Sequence, residues 1–246
     1  MIDTHIHIGQ FREIFYNPSE IIQIISDSGI KGCVYSSTTS CKDGVKYHEI
    51  QKEIEGVISH FSPSIFKPYL WFIPSYKAEG INIEDAMNDI PYKGIKIHPY
   101  ANDWTNNIPK NNNILHELFE YASDFNIPIL IHTGENGKDA PNTFEYFFNQ
   151  YPKAKCILAH CRPVLETIEM FRTYKNVYGD TAFLSKANLQ KIIQAGFADR
   201  ILLGSDFPIT HYFSQRQNEK ITLQNRYNVD KSTLEGYKEL IGKDEY

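Results

Sequence analysis

Eight short runs rich in β-branched and other apolar residues alternate along this chain with longer stretches of helical periodicity. The runs cover residues 2–8, 32–36, 68–73, 94–98, 128–132, 156–160, 177–180 and 201–205. Strands that alternate with helices are typical of βα units and of a parallel sheet. Eight such units in 246 residues, near the ~250 residues of a typical barrel, predict an α/β fold of the (β/α)8 TIM-barrel type.

No linker, repeat or low-complexity segment interrupts the sequence, so we expect a single domain over residues 1–246. The first helical stretch carries clear boundary signals. Asn17 is suited to the N-cap, Pro18 to the first helical position, and Gly29 to the end of the helix. These signals predict a helix that begins at Pro18 and ends just before Gly29.

Ionisable side chains occupy the ends of five of the predicted strands: His5, His7, Lys96, His98, His132, His160 and Asp206. Side chains two apart on a strand point to the same face, so His5 and His7 face one way and Lys96 and His98 do so on their own strand. Barrel active sites lie at the carboxyl ends of the strands, where we expect these groups to converge. Imidazole nitrogens and a carboxylate oxygen are ordinary ligands of zinc and similar divalent ions.

Five segments in a fixed order carry a family resemblance: residues 2–9 (IDTHIHIG), 94–99 (GIKIHP), 131–134 (IHTG), 158–160 (LAH) and 203–208 (LGSDFP). Together they resemble the amidohydrolase superfamily, and most of all the amidohydrolase-related branch that includes aminocarboxymuconate-semialdehyde decarboxylase. The resemblance extends over residues 1 to about 210. It departs from the family at Cys161-Arg162-Pro163, where a Gly-rich turn is usual, and in residues 222–246, which lack the usual Asn-Ala pair.

The resemblance implies a set of site residues. It implies that His5, His7, His132 and Asp206 bind one zinc ion. His160 contacts or activates the metal-bound water, and Asp206 is expected to act as the general base as well as a ligand.

Lys96 has two interpretations. In binuclear relatives a lysine at the end of the fourth strand is carboxylated and bridges two metals, which would raise the zinc count to two. Alternatively, Lys96 stays an ammonium that pairs with Asp206 or with a substrate carboxylate. The GIKIHP segment resembles the mononuclear branch more closely, which favours the ammonium and one zinc ion. His98 and Arg162 are further candidates for substrate contact.

Three other features have a less definite meaning. Asp3 either orients one of the histidines through a hydrogen bond or is satisfied by backbone groups. Residues 99–113, which include Trp104, follow the fourth strand and are expected to shape specificity. Glu135 follows the fifth strand and is a candidate for substrate contact.

Metal-assisted hydrolysis of an ester, lactone or amide in a small carboxylate-bearing substrate is the leading functional hypothesis. A decarboxylase of the same branch is the first alternative, because Arg162 or Lys96 would hold the carboxylate in either reaction. A phosphoesterase or nuclease of the TatD kind is disfavoured, since GIKIHP stands where its acidic ligands are expected. A barrel that binds metal without turnover is disfavoured because His160 and Asp206 are both present.

The charge balance and the apolar runs limit the partners. With 25 basic and 30 acidic residues, the formal charge of −5 disfavours a nucleic-acid role. No apolar run is long enough to span a bilayer, and no secretory signal opens the chain. The four cysteines form no Cys-x-x-Cys pair and predict reduced thiols. We therefore expect a cytoplasmic enzyme with a small-molecule substrate and no nucleic-acid or membrane partner; a homo-oligomer is compatible with the sequence.

Overall fold

The computed structural model describes residues 1–102, 104, 112–134, 137, 139–215 and 222–242 of the chain. The described chain forms two compact units. The first comprises Met1–Pro68 and Leu203–Tyr246, and the second comprises Tyr69–Leu202. The single-domain organisation stays a prediction.

The strands, in chain order, are β1 (Ile2–Phe11), β2 (Ile14–Tyr16), β3 (Gly32–Ser37), β4 (Phe66–Trp71), β5 (Gly94–Ile97), β6 (Pro128–His132), β7 (Lys155–Ala159), β8 (Val177–Asp180) and β9 (Ile201–Leu202). The helices are α1 (Pro18–Asp27), α2 (Tyr47–Ile58), α3 (Ser75–Ala78), α4 (Ile83–Asp89), α5 (Asn113–Asp124), α6 (Glu145–Gln150), α7 (Val164–Thr173), α8 (Lys186–Gln194), α9 (Ile209–Gln215) and α10 (Leu223–Ile241). Among the described residues, no helix combines the length and the apolar character that a membrane span requires.

The sheet of the first unit has the order β2-β1-β3, followed by the first residues of β4. β2 pairs with β1 antiparallel, while β1 with β3 and β3 with β4 are parallel. α1 lies against this sheet through an apolar stripe that includes Ile21, Ile22 and Ile25, all fully buried. Each such side chain contributes roughly 1.5–3 kcal/mol of burial free energy. Asn17 caps α1 by accepting from the Glu20 N–H, as predicted.

The sheet of the second unit continues from the last residues of β4 through β5, β6, β7 and β8 to β9, and every pairing is parallel. All residues of β5 are buried, which is typical of a parallel strand covered on both faces. α5 packs its Leu115, Leu118, Phe119 and Ala122 stripe inward, as its periodicity predicts. None of the four cysteines forms a disulfide, in agreement with the sequence.

Four predicted strands end earlier in the structure: β4 ends at Trp71, β5 at Ile97, β7 at Ala159 and β9 at Leu202. Residues 201–205 were expected to form one strand, but β9 ends at Leu202. Beyond that point the Ser205 N–H donates to the Asp3 carboxylate instead of a backbone carbonyl. In the pairing of β1 with β3, the register also shifts between Asp3 and Ile6. β7 ends at Ala159 because His160 adopts φ +73°, outside the strand region. The short strand β2 was not predicted.

Candidate active site

His5, His7 and Asp206 form a compact cluster in the first unit, here called the first-unit cluster. Both histidines lie on β1 and share a face, as the strand alternation predicts. Their Nε2 atoms are 3.1 Å apart, and Asp206 Oδ1 lies 2.9 Å from His7 Nε2 and 3.7 Å from His5 Nε2. All three side chains are buried. Their ligand atoms lie within 4.8 Å of one another, close enough to share one metal ion.

The surroundings of His7 fit a metal ligand. Its Nδ1 lies 3.3 Å from the Ser36 carbonyl oxygen and 3.1 Å from the Ser36 hydroxyl. A carbonyl oxygen only accepts, so it favours the tautomer that carries its proton on Nδ1. The lone pair on Nε2 then faces the Asp206 carboxylate. A divalent cation would stabilise two electron-donating atoms that face each other in a buried site.

Asp206 is placed by its backbone. It adopts φ +57°, a left-handed conformation that aspartate tolerates better than most residues. Its N–H donates to the His5 carbonyl at 2.7 Å, which ties the carboxylate to the strand that carries both histidines. Asp3 accepts from the N–H groups of His5 and Ser205, so it contacts the backbone of one histidine and the backbone of the residue that precedes Asp206.

Lys96, His98, His132 and His160 form the second-unit cluster. The register pairs His132, at the end of β6, with Ala159 on β7, which brings His160 beside it. His160 Nε2 lies 3.1 Å from His132 Nδ1. On its other side, the His132 ring stacks on the His98 ring with a centroid distance of 3.7 Å. The structure therefore brings His98, His132 and His160 together within the second unit.

Lys96 is buried in an aromatic environment. It is 1% exposed, and its Nζ lies 5.6 Å from the centre of the Trp71 ring. The same indole stacks on His98 with a centroid distance of 5.7 Å. A cation over an aromatic face is an attractive arrangement, and the ammonium interpretation of Lys96 stays a prediction. Arg162 lies similarly over Phe183, at 5.9 Å.

His132 is held in its neutral form. Burial is the main cause that lowers its pKa well below the usual value. Nearby positive charge adds to this effect, from His98, His160, Lys96 and Arg162. A neutral imidazole is the form that binds a metal or accepts a proton.

The turn after His160 replaces the Gly-rich turn of the family. His160 and Cys161 adopt φ +73° and +49° without glycine. The Asp180 carboxylate accepts from the N–H groups of His160 and Ala182, at 2.8 and 3.0 Å, and fixes the turn. The Cys161 thiol fits because Gly179 has no side chain: a Cβ there would lie 2.2 Å from the sulfur. The Asp180 side chain therefore supports His160 by binding the His160 backbone N–H.

The sequence did not indicate two of the polar neighbours. Ser36 contacts His7 from β3, and the buried Asp139 carboxylate lies 3.7 Å from His132 Nε2. Ser36 is the last residue of a predicted strand, and this position could have indicated a site residue. Asp139 lies in no recognisable motif. Glu135 and most of residues 99–113 lie outside the described residues.

Three solved structures resemble the chain in fold. A probable 2-pyrone-4,6-dicarboxylic acid hydrolase of Acinetobacter baumannii with citric acid bound is 13% identical, over 98% of this chain and 99% of that one, with a TM-score of 0.61. The 5-carboxyvanillate decarboxylase of Sphingomonas paucimobilis is 12% identical, over 95% and 98%, with a TM-score of 0.60. That of Novosphingobium aromaticivorans, complexed with manganese and 4-hydroxy-3-methoxy-5-nitrobenzoic acid, is 12% identical, over 92% of both chains, with a TM-score of 0.52.

These likenesses cover almost the whole of each chain and confirm the α/β TIM-barrel fold that the sequence predicts. No curated protein matches the sequence. The sequence model of the amidohydrolase family, in contrast, matches residues 63–233, which is more than half of the chain. The chain therefore belongs to the amidohydrolase family of metal-dependent enzymes.

Proposed function

We propose that this protein is a hydrolase that cleaves an ester, lactone or amide bond in a small carboxylate-bearing substrate. The observation that carries the proposal is the first-unit cluster, where two imidazoles and a carboxylate direct their ligand atoms to one point. Such mixed nitrogen and oxygen donors suit zinc, and manganese is the alternative that a carboxylate ligand also accommodates. When bound, a divalent metal lowers the pKa of water toward ~7 and polarises a carbonyl group.

His5, His7 and Asp206 are the proposed ligands in the described geometry. Ser36 fixes the ring of His7, so that its Nε2 stays directed at the cluster. His132 as a fourth ligand, and His160 beside the reacting water, stay predictions that rest on the sequence resemblance.

Asp206 is the proposed general base. Its carboxylate is 5% exposed and is held in place by the hydrogen bond from its own N–H to the His5 carbonyl. One of its oxygens faces the histidines, and the carboxylate is the group that would accept a proton from the attacking water. The carboxyl group then passes that proton to the leaving alkoxide or amine, which completes the hydrolysis.

The second unit supplies groups suited to the substrate. Lys96 and Arg162 are positive, and a guanidinium binds a carboxylate through paired hydrogen bonds. The flat rings of Trp71, His98 and His132 stack in succession beside Lys96. A small acid with a planar, unsaturated body matches both features.

Decarboxylation of such an acid is the second candidate. The same buried lysine and stacked rings favour it, because a carboxylate held against an aromatic surface is also the leaving group of a decarboxylase. The bond that breaks is then the C–C bond to the carboxylate and not an ester, lactone or amide bond, while the proposed metal ligands and positive groups are the same. The two candidates therefore differ in product and share their binding residues.

Metal analysis combined with a substrate panel tests the proposal. We expect one metal equivalent per chain, and release of an alcohol, amine or ring-opened acid from part of a panel of esters, lactones and amides. Release of CO2 from unsaturated or aromatic acids, with no hydrolysis in that panel, would establish the decarboxylase instead. Two metal equivalents would overturn the ammonium assignment of Lys96, and a metal-loaded protein inactive on both panels would overturn catalysis.

A further inference from the structure

The Asp3 carboxylate joins three separate parts of the first unit. Its Oδ1 accepts from the N–H groups of His5 and Ser205, at 3.2 and 3.0 Å. Its Oδ2 accepts from the Ser205 hydroxyl at 2.6 Å and from the Tyr227 hydroxyl at 3.2 Å. Asp3 and Tyr227 are both fully buried. One carboxylate thus collects hydrogen bonds from β1, from the segment just before Asp206, and from the C-terminal helix α10.

Tyr227 is held firmly where it meets Asp3. Its ring packs edge-on against Phe207, with a centroid distance of 5.0 Å. Further along α10, Asp230 accepts from the Thr210 hydroxyl at 2.9 Å, and Lys231 donates to the Ser28 carbonyl at 2.5 Å. The helix is therefore fixed to α9 and to the end of α1, and it presents the hydroxyl at a defined position.

We propose that Asp3 and Tyr227 are positioning residues of the metal centre, and that α10 is thereby a working part of it. Both N–H groups on Asp3 Oδ1 belong to the backbone that carries the ligands, since His5 is itself a ligand and Ser205 precedes Asp206. The inference rests on the proposed function, because it takes His5 and Asp206 as ligands. It also gives a role to the C-terminal stretch that lacks the Asn-Ala pair of the family.

The physical reason is the cost of an underpaired buried carboxylate. A buried oxygen that loses a donor is destabilised, and the surrounding backbone adjusts to find another. Here the adjustment would move His5 relative to Asp206, since His5 and Ser205, the residue before Asp206, are tied to the same carboxylate. Partners of metal ligands affect metal affinity by about 10–100-fold. Because Tyr227 contributes one hydrogen bond of four, we expect about a tenfold effect from its hydroxyl.

A zinc titration of the metal-free full-length chain measures this effect. Tyr227→Phe removes only the hydroxyl and keeps the ring against Phe207. We expect its Zn2+ affinity to fall about tenfold. Tyr212→Phe is the matched control, since its hydroxyl donates to the Glu13 carboxylate at 3.0 Å in the same unit and makes no contact with Asp3. The control should retain the wild-type affinity within about twofold. An unchanged affinity in Tyr227→Phe, or equal losses in both variants, would overturn the inference.

Amide hydrogen exchange provides a readout that needs no metal. In metal-free Tyr227→Phe, the His5 and Ser205 amides should exchange faster than in the wild type, while those of α2 keep their rates. Ser205→Ala, which removes the 2.6 Å hydrogen bond, should act in the same direction and serves if Tyr227→Phe does not fold. Unchanged exchange with normal zinc binding refutes the positioning role alone. A wild-type protein that binds no zinc refutes the proposed function instead, so the two failures are distinguishable.

Discussion

The first-unit cluster and the second-unit cluster place the same residue type in different surroundings. In the first, His5 and His7 face the carboxylate of Asp206, and a second buried carboxylate, Asp3, accepts from the His5 N–H. In the second, burial lowers the pKa of His132, and the positive charge of neighbours that include Lys96 lowers it further, although the Asp139 carboxylate lies 3.7 Å away. The first cluster is therefore suited to hold a cation, and the second holds a neutral His132 among mostly positive groups.

This contrast suggests separate tasks, metal binding and substrate binding, for residues that the sequence analysis had grouped together at the strand ends. A carboxylate that faces two imidazoles favours a cation between them, whereas the positive groups around His132 favour an anion. The proposed function accordingly assigns metal binding to the first-unit cluster and substrate binding to the second-unit cluster. Substitutions in each cluster should consequently change different measured quantities.

Replacement of Asp206 should have the largest effect. Asp206→Asn keeps the size of the side chain, and asparagine tolerates φ +57°, so the fold should be preserved. Loss of the general base should lower kcat by about 10²–10⁴-fold. Steady-state kinetics on whichever substrate the panel identifies provide the measurement, with the exposed Asp43→Asn as a control. Turnover within a factor of about three of the wild type would remove Asp206 from the mechanism.

Removal of a first-unit histidine should come next. His7→Gln should lower zinc affinity more than about a hundredfold, beyond the range of outer partners. The exposed His60→Gln should leave it unchanged. The same zinc titration on His132→Gln then tests whether the two clusters differ in metal binding. A comparable loss of affinity would make His132 the ligand that the resemblance implies, whereas an unchanged affinity with a raised KM would restrict the second-unit cluster to the substrate.

The sequence predicted these histidines because strand alternation is a local property. His5 and His7 share a face for a geometric reason that needs no tertiary contact. His132 and His160 meet because neighbouring parallel strands end at the same edge of the sheet, which the alternation of strands and helices predicts. The helix signals at Asn17 and Pro18 are equally local and were also correct. Residue type, spacing and parity were therefore sufficient for the first list of site residues.

Contacts between residues far apart in the chain could not be predicted. Tyr227 and Asp3 are 224 positions apart, and no pattern in either segment indicates that they meet. Their network also explains the wrong boundary of β9, because the Asp3 carboxylate takes the Ser205 N–H that a longer strand would have used. The turn at His160 was unexpected for a similar reason: Gly179, on the neighbouring strand, makes the space that Cys161 needs.

Gly179→Ala should destabilise the second unit by about 3 kcal/mol, at the upper end for an overpacked core. The added methyl would lie 2.2 Å from Cys161 Sγ and 3.1 Å from Phe171 Cζ. Urea denaturation measures the loss, and the control is the double variant with Cys161→Gly. Cys161→Gly removes the sulfur and places glycine at φ +49°. In the double variant it should therefore recover at least about 1 kcal/mol of the free energy of unfolding that Gly179→Ala loses. Additive effects in the double variant would contradict the proposed contact.

The smallest effect should appear in the pH dependence of the first unit, where Asp230 on α10 is a buried acid. Burial raises the pKa of Asp230 from 3.8 to about 6, against the opposing charge of Arg226. Between these values the folded chain binds more protons than the unfolded chain, so its free energy of unfolding falls as the pH rises. Integrated from pH 4 to 6, this contribution amounts to about 2 kcal/mol.

Asp230→Asn should remove that part of the slope, while the exposed Asp27→Asn should keep it. Denaturant titrations of the metal-free protein at pH 4, 5 and 6 measure the difference between the two variants. Asn still accepts from the Thr210 hydroxyl, so α10 keeps its contact with α9 and the comparison reports the ionisation alone. Parallel pH profiles for Asp230→Asn and the wild type would mean that the carboxyl titrates as it does in the unfolded chain, and that the first unit compensates its buried acids fully.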